Sequence, residues 1–324
     1  MTPFVSIIIP TYNRENMLCK TLDSFLHQEF PSGTFQILVC NNNSTDKTQD
    51  VINEYASKFP NLIVPVFESR QGVHYARNSS ARIADGDWLY FTDDDMVAET
   101  DLLEKLFAPC SLHPELDVLT GKVLPLWAEH PPAWILEHCQ NGYLSLQLRT
   151  ERLVISASDV GVYSCHEAIK KDVFFEAGGF NPENTAGRWL GDGETGLSIK
   201  LEKQGAIFAF VGDSVIHHMI PAARLTQKYL NGRLANQASS DVCTEFRAGA
   251  VEPSRLLLDA TIWTLKAPCY LLLSCLYRIL LDSKWHLAKA KFSYSVQKSF
   301  YKIKLIFDSE LRVLLLENNW LSEK

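Results

Sequence analysis

Short apolar runs alternate with amphipathic segments along the first part of the chain. The runs are rich in β-branched and aromatic residues, which is typical of buried strands; they are FVSIIIP (4–10), FQILVC (35–40), LIVPVFE (62–68) and DWLYFTD (87–93). The segments between them place apolar residues at helical spacing, and NNNSTDKTQDVINEYASKF (41–59) begins with residues that favour a helix N-terminus. This β-α-β-α-β-α-β order predicts a parallel sheet covered by helices.

Polar residues gather where three of these predicted strands end. The stretches are PTYN (10–13), NNNSTD (41–46) and TDDD (92–95). In open parallel sheets the ligand lies at the carboxyl ends of the strands, so we expect these stretches on one rim. The rim would hold three consecutive carboxylates, and such oxygens suit hard divalent cations that bridge a protein to phosphates. The pattern favours a metal–diphosphate site over a solvated acidic turn or a helix-capping cluster.

The alternation of strands and helices weakens after residue 100. The segment 109–150 is rich in Pro and Trp, which predicts irregular structure with some short strands. A Gly-rich loop, NPENTAGRWLGDGETG (181–196), precedes a predicted helix over 197–205 and a predicted strand over 206–218. The second part of the chain therefore has a less regular order of elements.

The last part of the chain has a different composition. Residues 256–281 are strongly apolar, and residues 278–304 hold seven Lys and Arg against one Asp, interleaved with Phe, Tyr and Trp. Residues 256–304 suit a helical tail that lies on an anionic membrane surface. A bundle packed on the rest of the chain or on a second subunit, and hence an oligomer, fits the same pattern. The uncharged stretch 267–277 is too short to span a bilayer.

Charge and cysteine content narrow the class of protein. The 324 residues carry a net charge of −7, which argues against nucleic-acid binding. The charge is uneven, because residues 250–324 hold 11 Lys and Arg against 7 Asp and Glu. Eight cysteines without a CxxC pair favour a reducing compartment. The amino terminus lacks the basic start and cleavage site of a signal peptide, so we expect a cytoplasmic protein.

Five motifs occur in a fixed order along the chain. They are VSIIIPTYNR, NNNSTDKT, GVHYARNSSARIADGDWLYFTDDDMV, GGF…GDGETGLSIKLEKQG and VIHHMIPAAR. Together they closely resemble family 2 glycosyltransferases of the GT-A fold, over roughly residues 4–225. The resemblance implies an α/β domain over residues 1–250, with a Rossmann-like, mostly parallel sheet flanked by helices. Residues 1–100 would form its nucleotide-binding half and residues 101–250 its acceptor half, followed by a helical extension over 251–324.

The resemblance also implies roles for residues near the first two strand ends. Pro10, Thr11, Tyr12 and Asn13 would line the base and ribose of a nucleotide, whereas a plain Pro turn is the structural alternative. Asn41 stands where the family usually has an acidic residue that holds uracil. An amide both donates and accepts, so it can still pair with a base edge.

Further roles follow for the ARN and DDD motifs. Arg77 would reach the base or the diphosphate, because guanidinium suits planar oxygen acceptors, or it forms a surface salt bridge. Asp93 and Asp94 are grouped with the nucleotide-binding residues: Asp93 would face the ribose or the metal, and the Asp94 side chain would point elsewhere, because neighbouring strand residues face opposite sides. Asp95 would be the principal ligand of Mn²⁺ or Mg²⁺.

The remaining motifs supply candidate catalytic and phosphate-binding residues. Alignment on Thr195 and Leu197 places Glu194 where the family has its catalytic Asp, and a shifted alignment places Asp192 there. Either carboxylate could act as general base or simply cap a helix. His218 would bind the metal or a phosphate, and Arg224 would clamp the diphosphate.

The expected reaction transfers a sugar from a nucleotide-diphosphate sugar, most simply UDP-linked, to an acceptor hydroxyl with inversion. The acceptor would be a saccharide or a lipid-linked molecule in polysaccharide or glycolipid synthesis, at the inner face of the cell membrane. Two alternatives stay open. One is a haloacid-dehalogenase-like phosphohydrolase, since DDDMV satisfies D-x-D-x-[TV]; the other is a protein that binds sugar nucleotides without catalysis.

Overall fold

A mixed nine-stranded sheet forms the centre of the protein in this computed structural model, which describes residues 4–31, 33–249 and 253–322. The strands of the sheet are β1 Val5–Thr11, β2 Phe35–Asn41, β3 Ile63–Phe67, β4 Trp88–Thr92, β5 Met96–Ala98, β6 Val118–Trp127, β7 Leu153–Ser156, β8 His166–Lys170 and β11 Phe208–Ile220. A separate hairpin consists of β9 Asn184–Thr185 and β10 Arg188–Trp189. The helices are α1 Glu15–Leu26, α2 Thr48–Lys58, α3 Val73–Ile83, α4 Leu102–Phe107, α5 Ala133–His138, α6 Lys171–Glu176, α7 Gly193–Lys203, α8 Gln227–Arg247, α9 Pro253–Ile279, α10 Trp285–Phe307 and α11 Ser309–Leu315.

The strand order is β3-β2-β1-β4-β8-β6-β11-β5, with β7 paired to β11. The first four strands are parallel, as the alternating pattern predicts. β8 runs antiparallel to both β4 and β6 and joins the two parallel parts of the sheet. β1 lies between β2 and β4, so the polar residues that follow these strands meet at one rim.

The sheet is covered on both faces. Ile7 and Ile9 of β1 pack with α1 on one face, and Ile8 packs with α3, α6 and α7 on the other. This alternation follows from the period of two along a strand. β1, β2 and β4 are buried throughout, which explains why their runs contain few polar residues, whereas in β3, at the edge of the sheet, only Ile63 is buried.

β6 is longer than the sequence predicts for the segment 109–150. Its ten residues lie between β8 and β11, and the first four are buried. Gly121 permits this packing, because a Cβ there would lie 2.4 Å from the carbonyl oxygen of Ser214 and 2.5 Å from His166 Nε2. The prediction of only short strands is wrong because Pro125 and Trp127 fall in the less buried second half of the strand.

The C-terminal helices pack on the sheet domain through α8. α10 lies between α8 and α9, and Tyr301 and Leu305 of α10 share a buried cluster with Val242 and Phe246 of α8. After α11 the chain returns to the sheet domain, where Leu321 is buried in its core. The predicted domain boundary at residue 250 lies outside the described residues, and the division stays a prediction.

One helix in the described part of the chain has the length and composition to cross a membrane. The segment is Ser254–Ile279, with a mean hydropathy of 1.4 and 17% of its apolar window buried. The helix extends beyond the uncharged stretch 267–277 at both ends, past Lys266 and Arg278. The uncharged stretch 267–277 is thus too short to span a bilayer, as the sequence indicates, but the whole helix is long enough.

Candidate functional site

A cleft of about 570 Å³ opens at the carboxyl ends of β1 and β4. This volume falls within the usual range of small-molecule sites. The predicted site residues that line it are Pro10, Thr11, Tyr12, Asp93, Asp94, Asp95 and Arg224. The other lining residues are Arg14, Asn42, Gln71, Gly72, Val73, Asn184, Ala186 and Gly187.

Asp94 is held against β1. Thr11 Oγ1 donates to Asp94 Oδ2 at 2.7 Å, and Arg14 Nε lies 4.0 Å from Asp94 Oδ1. Burial and the neighbouring Asp95 carboxylate raise the pKa of Asp94 to about 7. Asp93 has a different partner on α3, as expected for neighbouring residues at a strand end. Asp94 therefore closes the base of the cleft between two strands.

Asp93 forms an ion pair with Arg77 of α3. Arg77 Nη2 donates to Asp93 Oδ1 at 2.5 Å and lies 3.3 Å from the carbonyl oxygen of Ser164. The Arg77 side chain is only 3% exposed, so its guanidinium lies under the cleft and not on the surface. Burial raises the pKa of Asp93. The Arg77 guanidinium lowers it in part, and the neighbouring carboxylates of Asp95 and Glu194 raise it further, so the pKa stays above its ordinary value.

Asp95, His218 and Arg224 form a compact cluster beside the cleft. Arg224 Nη2 donates to Asp95 Oδ2 at 2.9 Å, and its Nη1 donates to His218 Nε2. His218 Nδ1 lies 2.8 Å from the carbonyl oxygen of Leu144, which accepts its proton and leaves the lone pair on Nε2. Burial would raise the pKa of Asp95, but the contacts with His218 and Arg224 lower it below its ordinary value. Asp95 is thus ionised.

Asp95 and His218 fit the requirements of a divalent cation. Asp95 Oδ2 and His218 Nε2 lie 3.6 Å apart, and both residues are at most 4% exposed. Carboxylate and imidazole together suit Mn²⁺ or Mg²⁺, and the Leu144 contact fixes the imidazole in the tautomer that a metal needs. Among the described residues no group of three or more His, Cys, Asp or Glu could hold a metal ion. A cation here would complete its coordination with phosphate oxygens and water.

Glu194 lies between two cavities. The first has a volume of about 170 Å³ and shares Val73 and Asp93 with the cleft. The second, of about 500 Å³, extends away from the cleft and is also lined by Tyr143, Tyr163 and Arg233. A group in the second cavity could therefore approach the cleft past the Glu194 carboxylate.

The Glu194 carboxylate is oriented by Ser164. Its Oε2 accepts from the Ser164 backbone nitrogen at 2.9 Å and from Oγ at 2.5 Å. Burial would raise the pKa of Glu194, but these hydrogen bonds and the charges of Arg77 and His74 lower it below its ordinary value. Glu194 is therefore an ionised, fixed carboxylate, which is the state that a general base requires.

Asp192, the alternative base, is part of the framework. It is 1% exposed, and its Oδ1 accepts from Asn181 Nδ2 at 2.6 Å. Its Oδ2 lies 3.3 Å from Thr244 Oγ1 and 3.5 Å from Arg247 Nε. Oδ1 is therefore engaged by the loop that follows α6 and Oδ2 by α8, and Asp192 lines neither of the cavities that Glu194 lines.

Asn42, and not Asn41, faces the cleft. The Asn41 amide donates to Gln49 Oε1 at 2.7 Å and accepts from the Ser44 backbone nitrogen at 2.8 Å, so its side chain is consumed within the loop. Asn42 Oδ1 accepts from the Gly72 backbone nitrogen at 2.7 Å. The Asn42 nitrogen also donates to two backbone carbonyl oxygens, at 3.0 and 2.7 Å. Both amides are therefore engaged within the protein, and a contact of Asn41 with a base stays a prediction.

Tyr12 and Asn13 differ in their relation to the cleft. Tyr12 is 44% exposed on its lining. Asn13 has a left-handed backbone with φ of 53°, and its Oδ1 accepts from the Thr45 backbone nitrogen at 2.8 Å. Asn13 thus joins the loops that follow β1 and β2 and does not line the cleft.

The β9–β10 hairpin was expected to be a loop. Its residues Asn184, Ala186 and Gly187 line the cleft, and Ala186 and Gly187 have left-handed backbones that form the turn. The carbonyl oxygen of Trp189 accepts from Tyr301 Oη of α10 at 2.6 Å. The neighbouring Ala-Gly pair is a turn signal in the sequence, whereas the contact with α10 has none.

The comparisons with known proteins agree with this architecture. The sequence model of the family described as Glycosyl transferase family 2 matches residues 6–174, just over half of the chain. The chain belongs to glycosyltransferase family 2. The match covers β1 to β8, and therefore includes the acidic triplet but not Glu194, His218 or Arg224.

Two curated relatives of this glycosyltransferase illustrate the similarity. It is 31% identical over 120 residues to the poly(ribitol-phosphate) beta-glucosyltransferase of Bacillus spizizenii, which covers 37% of this chain and 19% of that protein. It is 34% identical over 123 residues to a PGL/p-HBAD biosynthesis glycosyltransferase of Mycobacterium tuberculosis, covering 38% of this chain and 47% of that protein. The aligned parts thus span less than half the length of either relative.

Solved structures share the fold over most of the glycosyltransferase chain. The mannosyltransferase PcManGT from Pyrobaculum calidifontis, in complex with GDP-Man and Mn²⁺, superposes with a TM-score of 0.60 at 17% identity, covering 94% of this chain and 88% of that one. GalNAc-T7 with UDP, GalNAc and Mn²⁺ gives a TM-score of 0.54 at 17% identity, covering 78% and 52%. The predicted GT-A fold, with its mostly parallel sheet and C-terminal helices, is confirmed.

Proposed function

We propose that this family 2 glycosyltransferase moves a sugar from a nucleotide-diphosphate sugar, UDP-linked in the simplest case, to an acceptor hydroxyl with inversion. One observation carries the proposal. The cleft is lined by the ionised Asp95 and by Arg224, and the adjacent cavity that shares Val73 and Asp93 with it is lined by the ionised Glu194.

The cleft supplies the donor site. Pro10, Thr11 and Tyr12 line it and would contact the nucleotide. Asp95 and His218 would hold Mn²⁺ or Mg²⁺, which neutralises the departing diphosphate as a Lewis acid. Two solved structures of similar fold support this choice of metal, since one is a complex with GDP-Man and Mn²⁺ and the other a complex with UDP, GalNAc and Mn²⁺.

Glu194 would act as the general base. Its free oxygen takes the proton of an acceptor hydroxyl, and the hydroxyl oxygen attacks the anomeric carbon from the face opposite the diphosphate. The bond to the diphosphate breaks in the same displacement, so the configuration inverts. Ser164 holds the carboxylate in place. The lowered pKa of Glu194 keeps this carboxylate deprotonated near neutral pH, so it can accept the proton.

The second cavity would bind the acceptor. Tyr143 and Tyr163 offer flat apolar faces to a sugar, and Arg233 offers a donor to its oxygens. A saccharide or lipid-linked acceptor fits this lining and agrees with the two relatives, a poly(ribitol-phosphate) beta-glucosyltransferase and a PGL/p-HBAD biosynthesis glycosyltransferase. Polysaccharide or glycolipid synthesis is the corresponding pathway class.

The test is nucleotide release from a panel of UDP- and GDP-sugars by the purified chain, with and without Mn²⁺. Metal-dependent release that rises on addition of an acceptor extract supports the proposal. Phosphate release from simple phosphoesters would instead favour the phosphohydrolase, although Arg77 already occupies one oxygen of its required nucleophile, Asp93. Nucleotide binding without turnover would favour the non-catalytic alternative.

A further inference from the structure

Helix α9 has two faces of opposite character. One face packs on α10 through Leu256, Ala260, Ala267 and Ser274, which are at most 6% exposed. The small side chains allow close approach, and Ser299 Oγ of α10 donates to the Ala260 carbonyl oxygen at 2.9 Å. The other face carries a stripe of large apolar residues that are between 40% and 78% exposed, namely Leu258, Ile262, Leu265, Leu272, Leu276 and Ile279.

Helix α10 also carries an exposed apolar stripe. Val296, Phe300, Ile303 and Phe307 recur at helical spacing and are 46%, 59%, 40% and 82% exposed. So many exposed large apolar residues on two packed helices are unusual for a soluble monomer and mark a site of interaction. We call the exposed stripes of α9 and α10 the apolar face.

The charge of this helix pair identifies the occupant. Residues 254–307 hold nine Lys and Arg against two Asp, although the whole chain carries −7. Lys298 and Lys302 are buried and paired with Glu245. Six others are exposed: Arg255, Lys266, Arg278, Lys284, Lys289 and Lys291. The segment that carries the apolar face therefore also carries six exposed cations.

We propose that the apolar face docks the protein on an anionic lipid bilayer. Leucine and phenylalanine side chains would enter the boundary of headgroups and acyl chains, and the exposed Lys and Arg would meet the lipid phosphates. A second copy of the chain fits less well, because a symmetric interface would bring two strongly cationic helix pairs together. The proposal rests on the helix pair alone and does not depend on the proposed sugar transfer.

The contacts of α9 favour a helix that lies along the membrane surface. Asp259 of α9 pairs with the buried Lys302 of α10 at 3.2 Å, and Ser274 Oγ donates to the Trp285 carbonyl oxygen at 3.1 Å. α9 is thus joined to α10 at both ends, and α10 is joined to α8. A spanning α9 would have to leave these partners or carry the Lys residues of α10 into hydrocarbon.

The experiment is flotation of the full chain with vesicles. Vesicles of phosphatidylcholine with phosphatidylglycerol should bind the protein, and vesicles of phosphatidylcholine alone should bind it much less. Binding should weaken as salt rises, because screening shortens the range of the attraction. Absence of binding to the anionic vesicles would overturn the proposal.

Two pairs of variants separate the two contributions. Leu265→Glu with Leu272→Glu should abolish flotation, whereas Leu112→Glu, at an 81% exposed site elsewhere, should not affect it. Lys289→Glu with Lys291→Glu should weaken binding at least about tenfold, and the matched exposed pair Lys20→Glu with Lys203→Glu much less. Unchanged flotation of both tail variants would overturn the proposal.

Light scattering tests the rival occupant. A monomer whose size is unchanged by the Leu265 and Leu272 substitutions supports the bilayer. A dimer that these substitutions convert into monomers would assign the face to a second copy and overturn the proposal. Nucleotide release by the soluble variants is measured in parallel, so failure to dock is distinguished from failure of the proposed catalysis.

Discussion

Arg224 donates to Asp95 at 2.9 Å and so places a guanidinium on the carboxylate that the proposed metal needs. The same guanidinium also contacts His218 Nε2, the second proposed ligand. Arg224 and a divalent cation therefore compete for the same two side chains. Once displaced, Arg224 is free to contact the diphosphate within the cleft that it already lines.

Arg224→Gln should strengthen binding of Mn²⁺ in the absence of nucleotide by about tenfold, because it removes a charge-assisted hydrogen bond worth roughly 1.5 kcal/mol or more. Turnover should fall, since the diphosphate loses a cation. Titration calorimetry with Mn²⁺ measures the first effect. Arg233→Gln, in the second cavity, should leave Mn²⁺ affinity unchanged, and weaker Mn²⁺ binding by the Arg224 variant would disprove the competition.

Glu194→Gln should retain donor binding and lower kcat by about 10² to 10⁴-fold, because the acceptor hydroxyl loses its base. Donor affinity from calorimetry and initial rates of nucleotide release separate the two quantities. Full activity of this variant would remove Glu194 from the mechanism.

Asp192→Asn is the matched test of the other carboxylate. We expect nearly normal kcat, with a loss of about 1–3 kcal/mol in the free energy of unfolding, because Asp192 is buried and bound to Asn181 and Arg247. Denaturant unfolding measures the stability. A catalytic defect in a stable Asp192→Asn protein would favour the alternative base.

Glu167 should make stability depend on pH. Burial and the Glu194 carboxylate raise its pKa to about 8, and its Oε2 has no hydrogen-bond partner among the described residues. Between its ordinary pKa and about 8 the folded protein holds a proton that the unfolded chain releases, so this group's contribution to stability falls as pH rises.

Glu167→Gln removes that pH dependence. The free energy of unfolding of the variant minus that of the native protein should be larger at pH 9 than at pH 5. The increase should be a few kcal/mol, because one pKa unit corresponds to about 1.4 kcal/mol. Urea unfolding at both pH values provides the measurement. Glu104→Gln, at an exposed carboxylate, is the control, and parallel behaviour of the two variants would contradict the prediction.

Tyr301→Phe should raise the KM for the donor by about threefold to tenfold, because a hydrogen bond of roughly 1 kcal/mol holds the β9–β10 hairpin at the cleft. Tyr294→Phe removes a hydroxyl contact of the same helix with Asp241, away from the hairpin, and should leave KM unchanged. Equal KM values in both variants would show that the hairpin does not depend on α10.

The sequence predicted the parts of the molecule that local pattern controls. The apolar runs located β1 to β4, and the polar residues after them located the rim that holds Asp95. The pattern at the end of β2 could not show that Asn42 lines the cleft while Asn41 does not, because a strand end leaves the direction of the next side chain open. Glu194 and Asp192 have different surroundings because of Ser164, Asn181 and α8, which lie elsewhere in the chain.

The hairpin between Asn184 and Trp189 contacts α10, one of the two helices that carry the apolar face. Tyr301 Oη of α10 donates to the Trp189 carbonyl oxygen, and Arg188 lies 3.8 Å from Asp308 at the start of α11. Docking of α10 at a bilayer would therefore act, through Tyr301, on a hairpin that lines the donor cleft. Lipid composition would then change the affinity for the donor.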